Sequence, residues 1–175
     1  MKKRFILIIL TLVLVLAVLA PSATLAVKPQ TFQAAGVINY IEDTQVGDNA
    51  FPAGNSGRWR VIDREIGGEL SGDISGSFLL TYKANVELAT QAGNLHGVLE
   101  AGEYSFKVNG KIQPLTMEPS PLGFDLPVLT IKGHWNLSDK GPGQGDFKAW
   151  VQFIPDEYGH VVMIVASSFE MDGKW

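Results

Sequence analysis

Cysteine is absent from this chain. The absence excludes a disulfide framework, a thiol nucleophile and a lipid anchor on an N-terminal cysteine. A domain without disulfides depends on its apolar core for stability.

Helical periodicity is missing from the chain after residue 26. No segment there repeats apolar residues at helical spacing over about 10 residues or more. The 19 glycines and 9 prolines of the chain interrupt it every few residues, which favours an all-β domain. Phosphate-binding loops are excluded as well, because they need a glycine-rich segment between a strand and a helix.

The first 26 residues have the composition of a Sec-type signal peptide. Basic residues at 2–4 precede an uncharged apolar run at 5–20, and the small-residue motif TLA follows at 24–26. The alternative is a retained membrane anchor, although this run is shorter than the roughly 20 residues of a typical span. We therefore predict cleavage after residue 26 and a secreted or extracytoplasmic protein with no membrane span. Residues 27–175 are long enough for a single domain.

Basic residues are scarce in the predicted mature part. Of the 14 Lys and Arg in the chain, three lie in the signal, which leaves 11 against 18 Asp and Glu. Nucleic acid binding needs clustered basic side chains that neutralise phosphates. A nucleic acid partner is therefore disfavoured.

A two-residue alternation of apolar and polar residues is the main pattern that the sequence does contain. In its longest example the apolar positions are Phe78, Leu80, Tyr82, Ala84, Val86 and Leu88. Such alternation is typical of strands with one face on a core and one in water. The predicted strands are 31–41, 58–66, 76–88, 94–101, 104–113, 126–137, 146–154 and 160–171. Together they predict a small antiparallel β-barrel of about eight strands, with a two-sheet β-sandwich as the alternative.

This plan of eight strands with glycine-rich hairpins resembles small calycin-like barrels, such as lipocalins and avidins, and allene oxide cyclase-type and dirigent-type barrels. The resemblance concerns the plan alone. The lipocalin Gly-x-Trp motif belongs near the mature N-terminus, whereas Gly57-Arg58-Trp59 opens the second predicted strand.

Two connections, 42–57 and 114–125, are longer than the two to about five residues of ordinary hairpin loops. If the strands run up and down in sequence order, both connections lie at the same end of the barrel. We call this the loop-rich end and predict that it holds the binding site. The opposite end has short connections, which we expect near Gly67-Gly68, at Ala101-Gly102 and at 138–145, and we call it the closed end.

Residues suited to catalysis are few. The chain has only His96, His134 and His160, and no serine lies in a G-x-S-x-G motif, so catalytic residues remain unknown. We expect His96 and His160 at the loop-rich end and His134 far from them, which disfavours a three-histidine metal site. The sequence predicts neither a metal nor a cofactor.

Three arginines, Arg58, Arg60 and Arg64, lie at even positions of one predicted strand. We expect them on the outer face, paired with carboxylates, with recognition of an anionic ligand as the alternative if they point inward. The candidate ligand-binding residues are Tyr40, Arg58, Tyr82, His96, Asp125 and His160.

The primary hypothesis is a secreted β-barrel that binds a small, largely apolar ligand at the loop-rich end. An eight-stranded barrel is either filled by its own side chains or holds one small ligand. One alternative is a cyclase or isomerase that acts on such a ligand, with Tyr82 as a polar group inside. The other is a non-catalytic surface or matrix protein that uses the apolar outer face of the last strand. A binding protein is favoured over an enzyme, and the sequence does not indicate the oligomeric state.

Overall fold

The computed structural model describes residues 30–41, 50–116, 126–138, 141–155 and 161–175. These residues form nine β-strands, and they include no helix that is long and apolar enough to cross a membrane. The strands are β1 (Thr31–Ile41), β2 (Ala50–Pro52), β3 (Arg58–Gly72), β4 (Gly76–Glu87), β5 (Gly93–Ala101), β6 (Tyr104–Ile112), β7 (Val128–Leu137), β8 (Gln144–Pro155) and β9 (Val161–Lys174).

The barrel is closed by β1, which pairs antiparallel with β9 on one side and with β3 on the other. From β3 to β9 each strand pairs with its sequence neighbour, and β2 is a short extra strand beside β3. The eight strands other than β2 therefore form a closed antiparallel barrel, as predicted. The pairing of β1 with β3 excludes the two-sheet sandwich.

The inward face predicted for β4 is confirmed except at its last position. Phe78 and Tyr82 are 5% and 8% exposed, and Leu80 and Val86 pack half-buried against the same core. Leu88 is 49% exposed, so its predicted inward position is wrong. The strand ends one residue earlier, and Leu88 lies in the following turn.

Aromatic side chains fill the closed end. Phe32, Phe106 and Trp135 are almost fully buried there. The ring centroids of Phe32 and Trp135 are 5.0 Å apart, and those of Tyr104 and Trp175 are 5.4 Å apart. Contacts of this kind add to the apolar burial, so the closed end is a packed core.

Gly67 and Gly68 do not form a connection at the closed end, as the sequence had suggested. They lie inside β3, and the chain turns later, at 73–75. A Cβ atom on Gly68 would stand 1.9 Å from the carbonyl oxygen of Val37 and 2.7 Å from the ring of Phe78. Glycine is required at position 68 because β1 and the Phe78 ring approach β3 closely. The prediction of a turn at Gly67 and Gly68 was wrong.

Candidate ligand site at the loop-rich end

The loop-rich end is defined by the ends of the strands. The connections there are 42–57, 88–92, 113–127 and 156–160, and those at the closed end are 73–75, 102–103 and 138–143. Both long connections therefore leave and re-enter the barrel at the same end, as the up-and-down order predicts. Residues 42–49 and 117–125 within them lie outside the described residues.

Apolar side chains line the inside of the loop-rich end. They are half-buried and pack against the fully buried core, and we call them the apolar rim. Its members are Ile41, Trp59, Val86, Leu115, Leu129 and Ile164. Below them Val61, Ala84 and Phe153 are buried. A molecule that entered from this end would contact hydrocarbon and one indole ring.

On the side of β1 and β2, the described pairing of β3 is interrupted. Ile41, the last residue of β1, lies opposite Ile66 of β3, and β2 pairs only with residues 59–61 of β3. Between these two pairings, residues 62–65 of β3 have no paired strand on that side among the described residues. We call residues 62–65 of β3 the notch, and residues 42–49, which link β1 to β2, lie outside the described residues.

A β-bulge in the notch exchanges the two faces of β3, so that side chains at odd positions face the interior before the bulge and side chains at even positions face it afterwards. Val61 lies opposite Ala84, but the next pair is Arg64 opposite Tyr82, because β3 carries one extra residue between the two pairs. Asp63 within the bulge has a φ of 52°, in the left-handed region. Directly opposed residues share a face of the sheet, so Arg64 lies on the interior face with Tyr82.

The three arginines of β3 therefore do not share a face. Arg58 and Arg60 lie opposite Glu87 and Asn85 and are exposed on the outer wall, as expected. Arg64 is half-buried and on the interior face, so the expectation of a common outer face is wrong for this residue. The bulge is the reason, since an extra residue exchanges the two faces of a strand.

The hydrogen-bond ladder between β1 and β9 ends early, next to the notch. It stops at Gly36 opposite Phe169, although both strands continue toward the loop-rich end. Beyond this point the hydroxyl of Ser167 accepts a hydrogen bond from the amide of Ile38 at 2.6 Å and donates one to its carbonyl at 2.8 Å. The Ser167 side chain thus takes the place of the backbone hydrogen bonds between the two strands. We call this part the seam, and a cavity of about 640 Å³ lies along it between β1 and β9.

The candidate site residues are distributed over both faces of the wall. Tyr40 is 47% exposed on the outer wall, where its ring lies over Gly67. Arg58 and His96 are also exposed on the outer wall, whereas Tyr82 is buried inside. Asp125 and His160 lie outside the described residues.

Of the four described candidates, only Tyr82 faces the interior, and the structure adds Arg64, which sequence reasoning had assigned to the outer wall. The sequence does contain an indication that Arg64 faces the interior. Apolar residues fall on odd positions at Trp59 and Val61 and on even positions at Ile66 and Leu70. A change of parity within one strand indicates a bulge between the two pairs.

His96 and His134 lie on the outer wall, on either side of Asn109. The Nδ1 atom of His96 is 2.7 Å from Oδ1 of Asn109, and His134 lies opposite Asn109 and contacts Asp146. The expectation that His134 is far from His96 is wrong, because strands in a closed barrel are staggered along the axis. No group of three or more His, Asp or Glu residues in the described ranges is arranged to hold a metal ion.

No protein-family model matches this chain, and neither does a curated protein or a solved structure. The likeness to calycin-like and allene oxide cyclase-type barrels stays a prediction.

Proposed function

We propose that the protein binds a small, largely apolar ligand at the loop-rich end of the barrel. The apolar rim is the observation that carries this proposal. Its six side chains are half-buried and pack against the core at the end of the barrel where both long connections leave the strands. Burial of apolar ligand surface against such side chains contributes about 25 cal/mol per Å², which is the main attraction available to a ligand without polar groups.

The aromatic residues of the closed end limit how deep such a ligand reaches. Phe32, Phe106 and Trp135 occupy the lower half of the interior. The ligand is therefore small and lies in the upper half, near the notch and the seam. Sites of this kind combine an apolar wall with a few polar groups that fix the orientation of the ligand.

We also infer that the protein acts outside the cytoplasm. The support is the sequence of residues 1–26, with its basic start, apolar run and small-residue motif. N-terminal sequencing of exported protein tests this inference. A start close to Val27 supports it, and retention of Met1 in a membrane fraction contradicts it.

Titration with decanol, followed by the tryptophan fluorescence of the protein, tests ligand binding. Trp59 belongs to the apolar rim, so a bound alcohol changes the surroundings of its indole ring. Val86→Trp fills the rim and should abolish binding, whereas Asn85→Trp adds the same ring to the outer wall and should leave binding unchanged. Equal effects of the two substitutions, or no binding by the wild type, would refute the proposal.

The two alternatives predict different outcomes of further measurements. Native mass spectrometry of protein purified from its own secretion detects a co-purifying ligand. A cyclase or isomerase would change the chromatographic retention of that ligand when fresh protein is added, and a binding protein would not.

A surface or matrix protein would use its outer wall instead. Large apolar side chains are exposed there near the seam, among them Val37, Tyr40, Ile154 and Met163. If this alternative holds, decanol does not bind and Met163→Lys reduces attachment of the protein to its producing cells. For a binding protein, Met163→Lys leaves decanol affinity unchanged.

A further inference from the structure

We propose that the outer wall of the barrel binds a linear acidic polysaccharide that carries one negative charge on each sugar. The site is a row of directly opposed side chains that crosses six neighbouring strands, and we call it the donor band. Its members are Arg60, Asn85, Asn94, Lys111, Lys132 and Lys148. The inference does not depend on the proposed function, because the donor band lies on the outer wall and the proposed apolar ligand lies inside the barrel.

The strand register places the members of the donor band side by side. From β3 to β8, each member lies directly opposite the next one on the neighbouring strand. Directly opposed residues share a face of the sheet, and every member is exposed except Lys148, which is half-buried. Neighbouring strands are about 4.8 Å apart, so the donor band is about 24 Å long.

Three lysines follow each other at one end of the donor band. Lys132 of β7 lies between Lys111 of β6 and Lys148 of β8. Like charges that face each other across two strands destabilise a sheet. None of these lysines, and not Arg60 either, forms an ion pair with another residue in the described part of the chain. The donor band is therefore locally positive, and an anionic partner would relieve the repulsion within it.

Two carboxylates beside the lysines do not neutralise them. Asp146 lies two residues before Lys148 on β8, and its carboxylate contacts His134. Glu170 of β9 lies directly opposite Lys148 but forms no ion pair with it. The whole chain has a formal net charge of −4. Attraction of an acidic ligand must therefore arise from the donor band and not from the overall charge.

Trp150 positions the last cation of the donor band. The Nζ atom of Lys148 is 3.9 Å from the centroid of the Trp150 ring, two residues further along β8. This cation–π contact holds the ammonium group on the outer wall. A lysine side chain loses conformational entropy when a ligand fixes it, and the contact with Trp150 reduces that loss.

Spacing and shape favour a polysaccharide as the partner. The strand spacing of about 4.8 Å is close to the length of one sugar ring in a linear polymer, so a uronic acid polymer presents its carboxylates to successive lysines. The side-chain amides of Asn85 and Asn94 can donate hydrogen bonds to sugar hydroxyls. Phosphates of a nucleic acid strand are further apart than neighbouring strands of this sheet. The donor band also curves around six of the eight barrel strands, so a flat membrane would reach only part of it.

The experiment titrates the purified protein with hexagalacturonate at low ionic strength and measures binding by calorimetry. The ligand control is fully methyl-esterified hexagalacturonate, which has the same sugar chain without its charges. We expect the acid to bind at least about tenfold more tightly than the ester, since several exposed charge contacts of about threefold each contribute. Added salt should weaken binding of the acid, because it screens exposed charges.

A double variant, Lys111→Gln with Lys132→Gln, removes two charges from the donor band. Two contacts of about threefold each predict a loss of about tenfold in affinity for the acid. The matched control is Lys107→Gln with Lys174→Gln, which removes two exposed lysines outside the donor band and should cost less than about twofold. The band variant should unfold at the temperature of the wild type or above it, since it removes like charges that face each other.

Equal losses in the two double variants would overturn the inference, because overall charge would then decide binding. Equal affinities of the wild type for the acid and the ester, or binding of neither, would overturn it as well. If an oligothymidylate or phosphatidylserine vesicles bind as tightly as hexagalacturonate, the assignment to a polysaccharide is wrong. Decanol affinity should be the same in the band variant as in the wild type, so the outcome for the donor band is separate from that for the proposed function.

Discussion

Ser167 and Ile38 join β9 to β1 through a side chain at the point where the backbone ladder between the two strands has ended. The hydroxyl of Ser167 bonds both the amide and the carbonyl of Ile38. This side-chain contact continues the wall at the seam beyond the last backbone pair of the two strands. Ile41, a member of the apolar rim, ends β1 beyond this contact.

Removal of the Ser167 hydroxyl should loosen the seam. Ser167→Ala loses two hydrogen bonds to Ile38, and we expect a loss of about 1–3 kcal/mol in the free energy of unfolding. Ser168→Ala is the matched control, because Ser168 lies opposite Trp150 on the outer wall and should cost less than about 0.5 kcal/mol. Urea denaturation measures both. Faster hydrogen exchange at the Ile38 amide, with the Ala34 amide unchanged, would locate the effect at the seam.

The close approach of β1 to β3 predicts different effects at two neighbouring glycines. In Gly68→Ala the new Cβ would overlap the carbonyl oxygen of Val37, and we expect a loss of about 3 kcal/mol or more in stability. In Gly67→Ala the nearest atom is Cδ1 of Tyr40 at 3.3 Å. The Tyr40 side chain is exposed and can move, so this change should cost less than about 1 kcal/mol. Similar thermal stabilities of the two variants would contradict the strand register described here.

Two leucines compare the buried core with an exposed turn. Leu99 is 0% exposed and Leu88 is 49% exposed. Leu99→Ala should cost about 2–5 kcal/mol in the free energy of unfolding, since it leaves a cavity in the core. Leu88→Ala should stay within about 0.5 kcal/mol of the wild type. The comparison uses the same substitution at both positions, so a difference reports burial alone.

The barrel strands could be predicted from the sequence because their alternation is visible in it. The bounds of β1 were predicted without error, and those of the other barrel strands differ by at most three residues at either end, except that β3 ends six residues later. The exceptions have local causes. β2 has only three residues and pairs with β3 alone, so it is too short to show alternation. β3 continues through Gly67 and Gly68, since close packing against β1, which no local pattern reveals, requires glycine at position 68.

The candidate site could be predicted only in part. The meeting of both long connections at one end follows from strand order, and Tyr82 follows from alternation. The inward position of Arg64 depends on a bulge, and the proximity of His96 to His134 depends on strand stagger around the barrel. Both features depend on how distant segments of the chain pair with each other. The alternation within a single strand gives no information about that pairing.

The backbone of Asp63 offers the last test, because its conformation belongs to the bulge that sets the orientation of Arg64. Asp63 has a φ of 52°, a conformation that Asn tolerates and that β-branched residues strongly disfavour. Asp63→Asn should therefore keep the bulge and change stability by less than about 0.5 kcal/mol, since the lost ion pair with Lys83 is exposed. Asp63→Val should cost about 1–2 kcal/mol and disturb the bulge. Unfolding curves decide the matter, and a Val variant with the stability of the wild type would show that the bulge does not depend on the left-handed conformation of residue 63.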